Sequence, residues 1–258
     1  MIVFVHIEKT AGTTLKFILR NSFGWKHCDT GRAKTKLFTQ ADLAFAKRIS
    51  GNIKAISGHN LIEPTKHLTD ADLHFMTFLR DPVSRSASYY QDYCLRGNND
   101  ITFQDWMMDE SRHNVQVKRI AGTVDLGKAK ALLKQNYFFV GLTEQFDLSL
   151  KLLQLLSPAS LNLKYKRKVV AQNNIIKNQL LQDPTSLAVL KETNELDIQL
   201  YHFVEQELFP SMIQQYQGEI DAVRLPEDHY NHHRTINYQS SIFWNKFIYR
   251  TLVKLKSK

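Results

Sequence analysis

Residues 2–7 read Ile-Val-Phe-Val-His-Ile, an almost unbroken apolar, β-branched run, and residues 8–14 follow as Glu-Lys-Thr-Ala-Gly-Thr-Thr before a helix-type pattern begins. A continuous rather than alternating run fits a strand covered on both faces. A strand that passes through so short a polar loop into a helix N-terminus commits the chain to an α/β architecture. It also aims unpaired backbone N–H groups and the positive end of a helix dipole at one point, which is a geometry for holding an anion.

Further along, Ile53–Ser57, His74–Leu79 and Tyr137–Leu142 repeat the buried-strand pattern. Helical patterns lie over Thr13–Asn21, Gln40–Arg48, Val83–Leu95, Phe103–Asp109, Lys128–Lys134 and Gln145–Leu156, and the last third is nearly all helical, with apolar residues of Ser186–Leu208 at broadly helical spacing. Strands alternating with helices predict a three-layer, P-loop-like α/β fold with a central parallel sheet and a helical C-terminal third. No repeat or flexible linker divides the sequence, so a single domain over 1–258 is expected. Such folds bind ligands at the carboxyl ends of their strands.

In the first loop, Gly12 would let the backbone approach a ligand closely, Thr13 and Thr14 supply hydroxyls at the helix start, and Lys9 is a mobile point charge. The Lys precedes the Gly and the loop is short, so the G-x-x-x-x-G-K-[S/T] phosphate loop of nucleotide triphosphatases is absent. A loop that merely turns and caps a helix is the alternative. After the third predicted strand comes Arg80-Asp-Pro-Val-Ser-Arg-Ser-Ala-Ser88. Asp81 suits a helix cap and Pro82 its first turn. Arg80, Ser84 and Ser88 recur every four residues on one face, an arrangement for a phosphate monoester, whereas Arg85 is expected to face elsewhere as a surface ion-pair residue. A helix start with incidental charge is again the alternative.

With both motifs in view, the chain resembles the carbohydrate sulfotransferases that use 3′-phosphoadenosine 5′-phosphosulfate (PAPS), particularly the heparan-sulfate 2-O-sulfotransferase-like group and its bacterial relatives. His6–Thr14 resembles their 5′-phosphosulfate loop and Phe78–Tyr90 their 3′-phosphate motif. Gly58-His59, Asn114–Gly122, Val140–Asp147 and Asn194–Tyr201 echo the family in order. Glu8 departs from it, standing where the family often has proline, and Lys164–Lys168 matches only loosely the loop over the adenine.

The resemblance implies PAPS as sulfuryl donor, with Lys9, Thr10, Ala11, Gly12, Thr13 and Thr14 around its 5′ end and Arg80 and Ser88 on its 3′ phosphate. Lys9 is then assigned to charge on the leaving phosphate and His59, just after a strand end, to the general base, with Glu8 as runner-up. No metal is expected; Asp228, His229, His232 and His233 cluster in the sequence, but their spacing matches no metal-site pattern. The implied acceptor is a carbohydrate hydroxyl, on a glycan or glycolipid, and Lys164, Lys166, Arg167 and Lys168 could line its groove or remain a solvated charged stretch. A P-loop-type kinase and a non-catalytic anionic-glycan-binding protein are the competing readings.

A net charge of +9 favours anionic partners, but no nucleic-acid-binding motif is present. Cys28 and Cys94 read as free thiols. With no membrane-length apolar run and a first strand that begins at residue 2, the sequence suggests a cytoplasmic enzyme. Residues 240–258 mix Phe243, Trp244, Phe247, Ile248 and Leu252 with Lys246, Arg250, Lys254, Lys256 and Lys258. Such an amphipathic tail docks on its own domain or a partner subunit, or lies on an anionic membrane surface.

Overall fold

The computed structural model describes residues 1–33, 36–97, 101–165, 174–225 and 235–256. Five parallel strands form one sheet: β1 (Ile2–Val5), β2 (His27–Asp29), β3 (Ala55–Gly58), β4 (His74–Leu79) and β5 (Tyr137–Leu142), in the order β2-β3-β1-β4-β5. Every residue of β1 is buried, as its unbroken apolar composition requires of a central strand. It pairs on one side with β3, Val5 opposite Gly58, and on the other with β4, Val5 opposite Thr77. The buried Thr77 hydroxyl donates to the Val5 carbonyl at 3.0 Å.

Around the sheet lie α1 (Gly12–Phe23), α2 (Gln40–Ser50), α3 (Pro64–His67), α4 (Pro82–Leu95), α5 (Phe103–Met107), α6 (Val115–Ala121), α7 (Leu126–Gln135) and α8 (Phe146–Leu156). The last third is helical: α9 (Ile175–Gln182), α10 (Pro184–Thr193), α11 (Glu195–Phe203), α12 (Phe209–Gln215), α13 (Gln217–Ala222), α14 (Ile236–Phe243) and α15 (Arg250–Lys256). The result is a three-layer α/β fold. Capping follows the sequence where predicted: the Asp81 carboxylate accepts from the Ser84 N–H at 2.7 Å, with Pro82 in the first turn of α4.

The structure adds detail in two places. The stretch 186–208 is helical as expected, and Asn194 (φ −120°) separates α10 from α11 within it. Its buried side chain accepts from the Ser86 hydroxyl at 3.1 Å and donates to the Leu190 carbonyl at 2.9 Å. Strand β2 adds an edge to the sheet that no apolar run in the sequence announces, since its three residues are His-Cys-Asp. Cys28 and Cys94 are both free and buried.

The edge at β2 is closed by the tail. Asn245, in the π-helical turn Trp244–Tyr249 between α14 and α15, donates to the His27 carbonyl at 2.8 Å and accepts from the Asp29 N–H at 2.6 Å. One side chain thereby satisfies ladder groups that an open edge would leave to another chain. Tyr238, Trp244 and Tyr249 are buried beneath the same segment, so the inner face of the tail docks on its own domain. No helix among the described residues is long and apolar enough to cross a membrane.

Asp29 is a buried carboxylate. It pairs with Lys16 and Arg20, both at 2.9 Å, on the first helix after the loop. Burial alone would raise its pKa, but the two cations outweigh burial and hold it at about 2. Its folded-state pKa lies below the unfolded one, so the stabilisation is present above about pH 4 and is lost as pH falls through about 2. Asp29→Ala leaves two largely buried cations unpaired, and an unfolding titration at neutral pH is expected to show a loss of about 3 kcal/mol or more. A loss below about 1 kcal/mol would place the triad's worth at surface-pair level.

Candidate active site

The sheet order makes β1 the point where the chain switches sides: β2 and β3 lie on one flank, β4 and β5 on the other. In parallel sheets this switch opens a crevice beyond the strand ends. The segments that follow β1, β3, β4 and β5 there carry Glu8–Thr14, His59, Arg80 and Glu144 respectively.

The loop after β1 is wound tightly. Lys9 (φ 67°) and Ala11 (φ 59°) both take the left-handed conformation without being glycine, at a cost of about 1–3 kcal/mol each that surrounding contacts must offset. Two contacts do so: the Thr10 hydroxyl donates to the Ile7 carbonyl at 3.0 Å, and Arg80 Nη1 donates to the Lys9 carbonyl at 3.1 Å. No side chain caps the N-terminus of α1, so its first amides keep their capacity for an anion. Gly12 serves a different purpose from the one its sequence context suggests. A Cβ there would lie 1.7 Å from His6 Nε2, so the glycine makes room for the buried His6 ring rather than for a ligand.

Lys9 Nζ lies 3.7 Å from Asp92, one turn beyond Ser88 on the face of α4 that carries Ser84 and Ser88. The two sequence motifs therefore meet. Burial lowers the Lys9 pKa and the Asp92 charge partly restores it. Arg80 is fixed by Gln116, whose amide accepts from the Arg80 N–H at 3.0 Å and donates to its carbonyl at 2.9 Å. Its side chain approaches Glu144 at 3.9 Å. Both cations are thus held by long, loose carboxylate contacts that an arriving phosphate can replace.

Arg85 corrects its expectation: it is 1% exposed, not a surface residue, and its Nη2 donates to the Ser86 hydroxyl at 2.9 Å. This interior explains the weaker sequence echoes. Asp197 accepts from the N–H groups of Gln116 and Val117 at 2.9 and 2.8 Å, while Asn114 accepts from those of Leu196 and Asp197 at 2.9 and 3.1 Å. Helices α6 and α11 cap each other, and Gln116 on α6 then holds Arg80.

His59 sits half-buried beside the first loop. Its Nδ1 is 2.8 Å from the His6 carbonyl and 3.2 Å from Glu8 Oε1. A carbonyl only accepts, so Nδ1 carries the proton and the neutral ring keeps its lone pair on Nε2, which has no protein partner among the described residues. Glu8 is gripped by Arg119 Nη2 at 2.9 and 3.0 Å, and Arg119 Nη1 also donates to the His59 carbonyl. Burial lowers the His59 pKa, opposed by the Glu8 charge. For Glu8, burial raises the pKa but Arg119 and His59 outweigh it, leaving the carboxyl below its usual range. That makes Glu8 a poor proton acceptor and a good orienting partner.

Arg119 and Gln116 lay inside a motif the sequence had marked, without a role. Lys177 on α9 gave no signal. Its backbone N–H donates to Gln91 on α4 at 3.0 Å, and its pKa is lowered by burial and then by the Arg80 charge, with Asp81 and Glu144 opposing. Thr13 is exposed and Thr14 partly so at the start of α1. Lys164 packs through its backbone, its carbonyl accepting from Asn21 at 3.3 Å. Lys166, Arg167 and Lys168 lie outside the described residues, as do Asp228, His229, His232 and His233; among the described residues no cluster of metal-ligating side chains occurs.

No curated protein matches the chain. A family model described as the sulfotransferase family matches residues 1–204, which take in the whole sheet, the loop after β1, the Arg80–Ser88 segment and His59. The chain belongs to the sulfotransferase family.

Proposed function

We propose that the protein moves a sulfuryl group from PAPS to a hydroxyl of a carbohydrate acceptor. The observation that carries this reading is the 3.1 Å bond from Arg80 to the Lys9 carbonyl. It brings together the uncapped start of α1 and the Arg80–Ser88 face, the two features that would each hold one phosphate of a single ligand.

The residues present suit that donor. Lys9 with the Thr10–Thr14 turn would hold the 5′ phosphosulfate, and Arg80 and Ser88, with Lys177 nearby, the 3′ phosphate. The donor supplies an activated sulfur–oxygen bond to a phosphate. His59 takes the acceptor's hydroxyl proton on Nε2 as the new oxygen–sulfur bond forms. Lys9 meets the negative charge gained by the departing phosphate as the old bond breaks. Positioning and fixed charge supply the acceleration, as in phosphoryl transfer. Glu8, locked by Arg119, keeps Nδ1 protonated and stabilises the imidazolium that forms.

A thermal-shift panel tests the donor. The melting temperature is expected to rise with 3′-phosphoadenosine 5′-phosphate and not with ATP. Stabilisation by ATP with Mg²⁺ instead would favour a kinase, and by neither nucleotide a glycan-binding protein. Arg80→Ala is expected to weaken 3′-phosphoadenosine 5′-phosphate about 10- to 100-fold and adenosine 5′-monophosphate little. Equal losses for the two would remove Arg80 from the 3′ site. Labelled sulfate transfer onto a glycan panel then identifies the acceptor.

A further inference from the structure

The tail that closes the β2 edge has a second, outward face. Between Thr235 and Lys258 the chain has five Lys or Arg residues and no Asp or Glu. While Tyr238, Trp244 and Tyr249 point into the core, Phe243 and Phe247 are 58% and 55% exposed with their rings 5.5 Å apart. Lys246 Nζ stands 5.2 Å from the Phe247 ring, and Leu255 is 62% exposed one helix further on. The exposed Trp25 adjoins this segment, because the preceding Gly24 abuts Asn237 and Ser240 of α14.

The charge decides what fits this surface. A second copy of the chain would set Lys246 and Lys254 against like charges, with no acidic residue in the segment to relieve them. A surface that takes aromatic rings into an apolar layer and meets lysines with anions is that of an anionic bilayer. We propose that the outer face of residues 243–255 seats the protein on anionic lipid, with Phe243 and Phe247 inserted at the headgroup boundary and Lys246 and Lys254 on the lipid phosphates. The segment runs from the turn before β2 to the Thr30–Ala33 turn after it. A bilayer there lies along the sheet edge toward the end that carries the crevice. The inference does not depend on which group the enzyme transfers.

The test is co-sedimentation of the full chain with vesicles of phosphatidylcholine alone and of phosphatidylcholine mixed with phosphatidylglycerol. Binding is expected only to the mixed vesicles, and to fall at high salt. Phe243→Ser with Phe247→Ser is expected to weaken it about tenfold or more, and Lys246→Glu about fivefold. These side chains are exposed, so melting temperature and nucleotide binding should stay at wild-type values in both variants. Failure of the intact chain to sediment with the mixed vesicles would overturn the proposal. So would undiminished binding of the Phe243→Ser, Phe247→Ser variant, or a concentration-dependent dimer that the same substitutions dissolve.

Discussion

Replacing His59 by alanine is expected to lower kcat for sulfuryl transfer by about 10²–10⁴-fold while 3′-phosphoadenosine 5′-phosphate still raises the melting temperature. The expectation follows from the tautomer. With Nδ1 committed to the His6 carbonyl and Glu8, the acceptor proton has one place to go, the Nε2 lone pair. Alanine removes that place and leaves Lys9, the Thr10–Thr14 turn and Arg80 unaltered. Burial lowers the His59 pKa, so the acid limb of the kcat/KM profile should fall below the ordinary imidazole value of about 6.5. Glu8→Gln removes the charge that opposes burial, so it should move this limb to still lower pH. It should also lower kcat, because the imidazolium loses its counter-charge. A Glu8 variant that lost activity with an unmoved limb would give Glu8 a purely structural role. Wild-type turnover in His59→Ala would pass the base to another residue.

The sheet was legible because its four longest strands lie in largely apolar runs, the usual composition of a parallel strand covered on both faces. β2 was hidden for the opposite reason: His27, Cys28 and Asp29 are buried by partners distant in sequence, Ser57, Ser241 and Asn245 among them. The same holds for the site. Lys9, His59 and Arg80 were readable from their places after strand ends. The residues that give them geometry were not, since Arg119 and Gln116 reach the crevice from a helix some 30 to 110 positions away along the chain. Arg85 was misread because four-residue spacing identifies a helix face but not what packs on the other one. Gly12 shows the same limit at the scale of one atom. Its loop context suggested a ligand, and the neighbour that demands it is His6. Glu8, an acid in an anion-binding loop, makes sense only once Arg119 stands beside it.

Lys9→Ala is expected to cost about 10²–10³-fold in kcat, with a smaller rise in KM for the donor. Lys9 is held in a strained left-handed turn whose carbonyl is tied to Arg80, so its side chain leaves the loop in a fixed direction. Among the described residues its one carboxylate partner, Asp92, is 3.7 Å away, a contact too loose to be the reason for the strain. If the ammonium meets charge that appears on the phosphate as the sulfur–oxygen bond breaks, the loss belongs to the transition state and falls on kcat. Lys9→Arg should recover little, because a planar fork on a longer stem cannot follow a single oxygen as a point charge does. Asp92→Asn separates this role from a structural one. Were Lys9 needed only to tether the loop to α4, breaking the pair from the Asp92 side would cost as much as Lys9→Ala. On the electrostatic account Asp92→Asn leaves the ammonium in place and changes kcat by no more than about threefold, the scale of one partly exposed ion pair. Matching losses in the two variants would sink the leaving-group assignment.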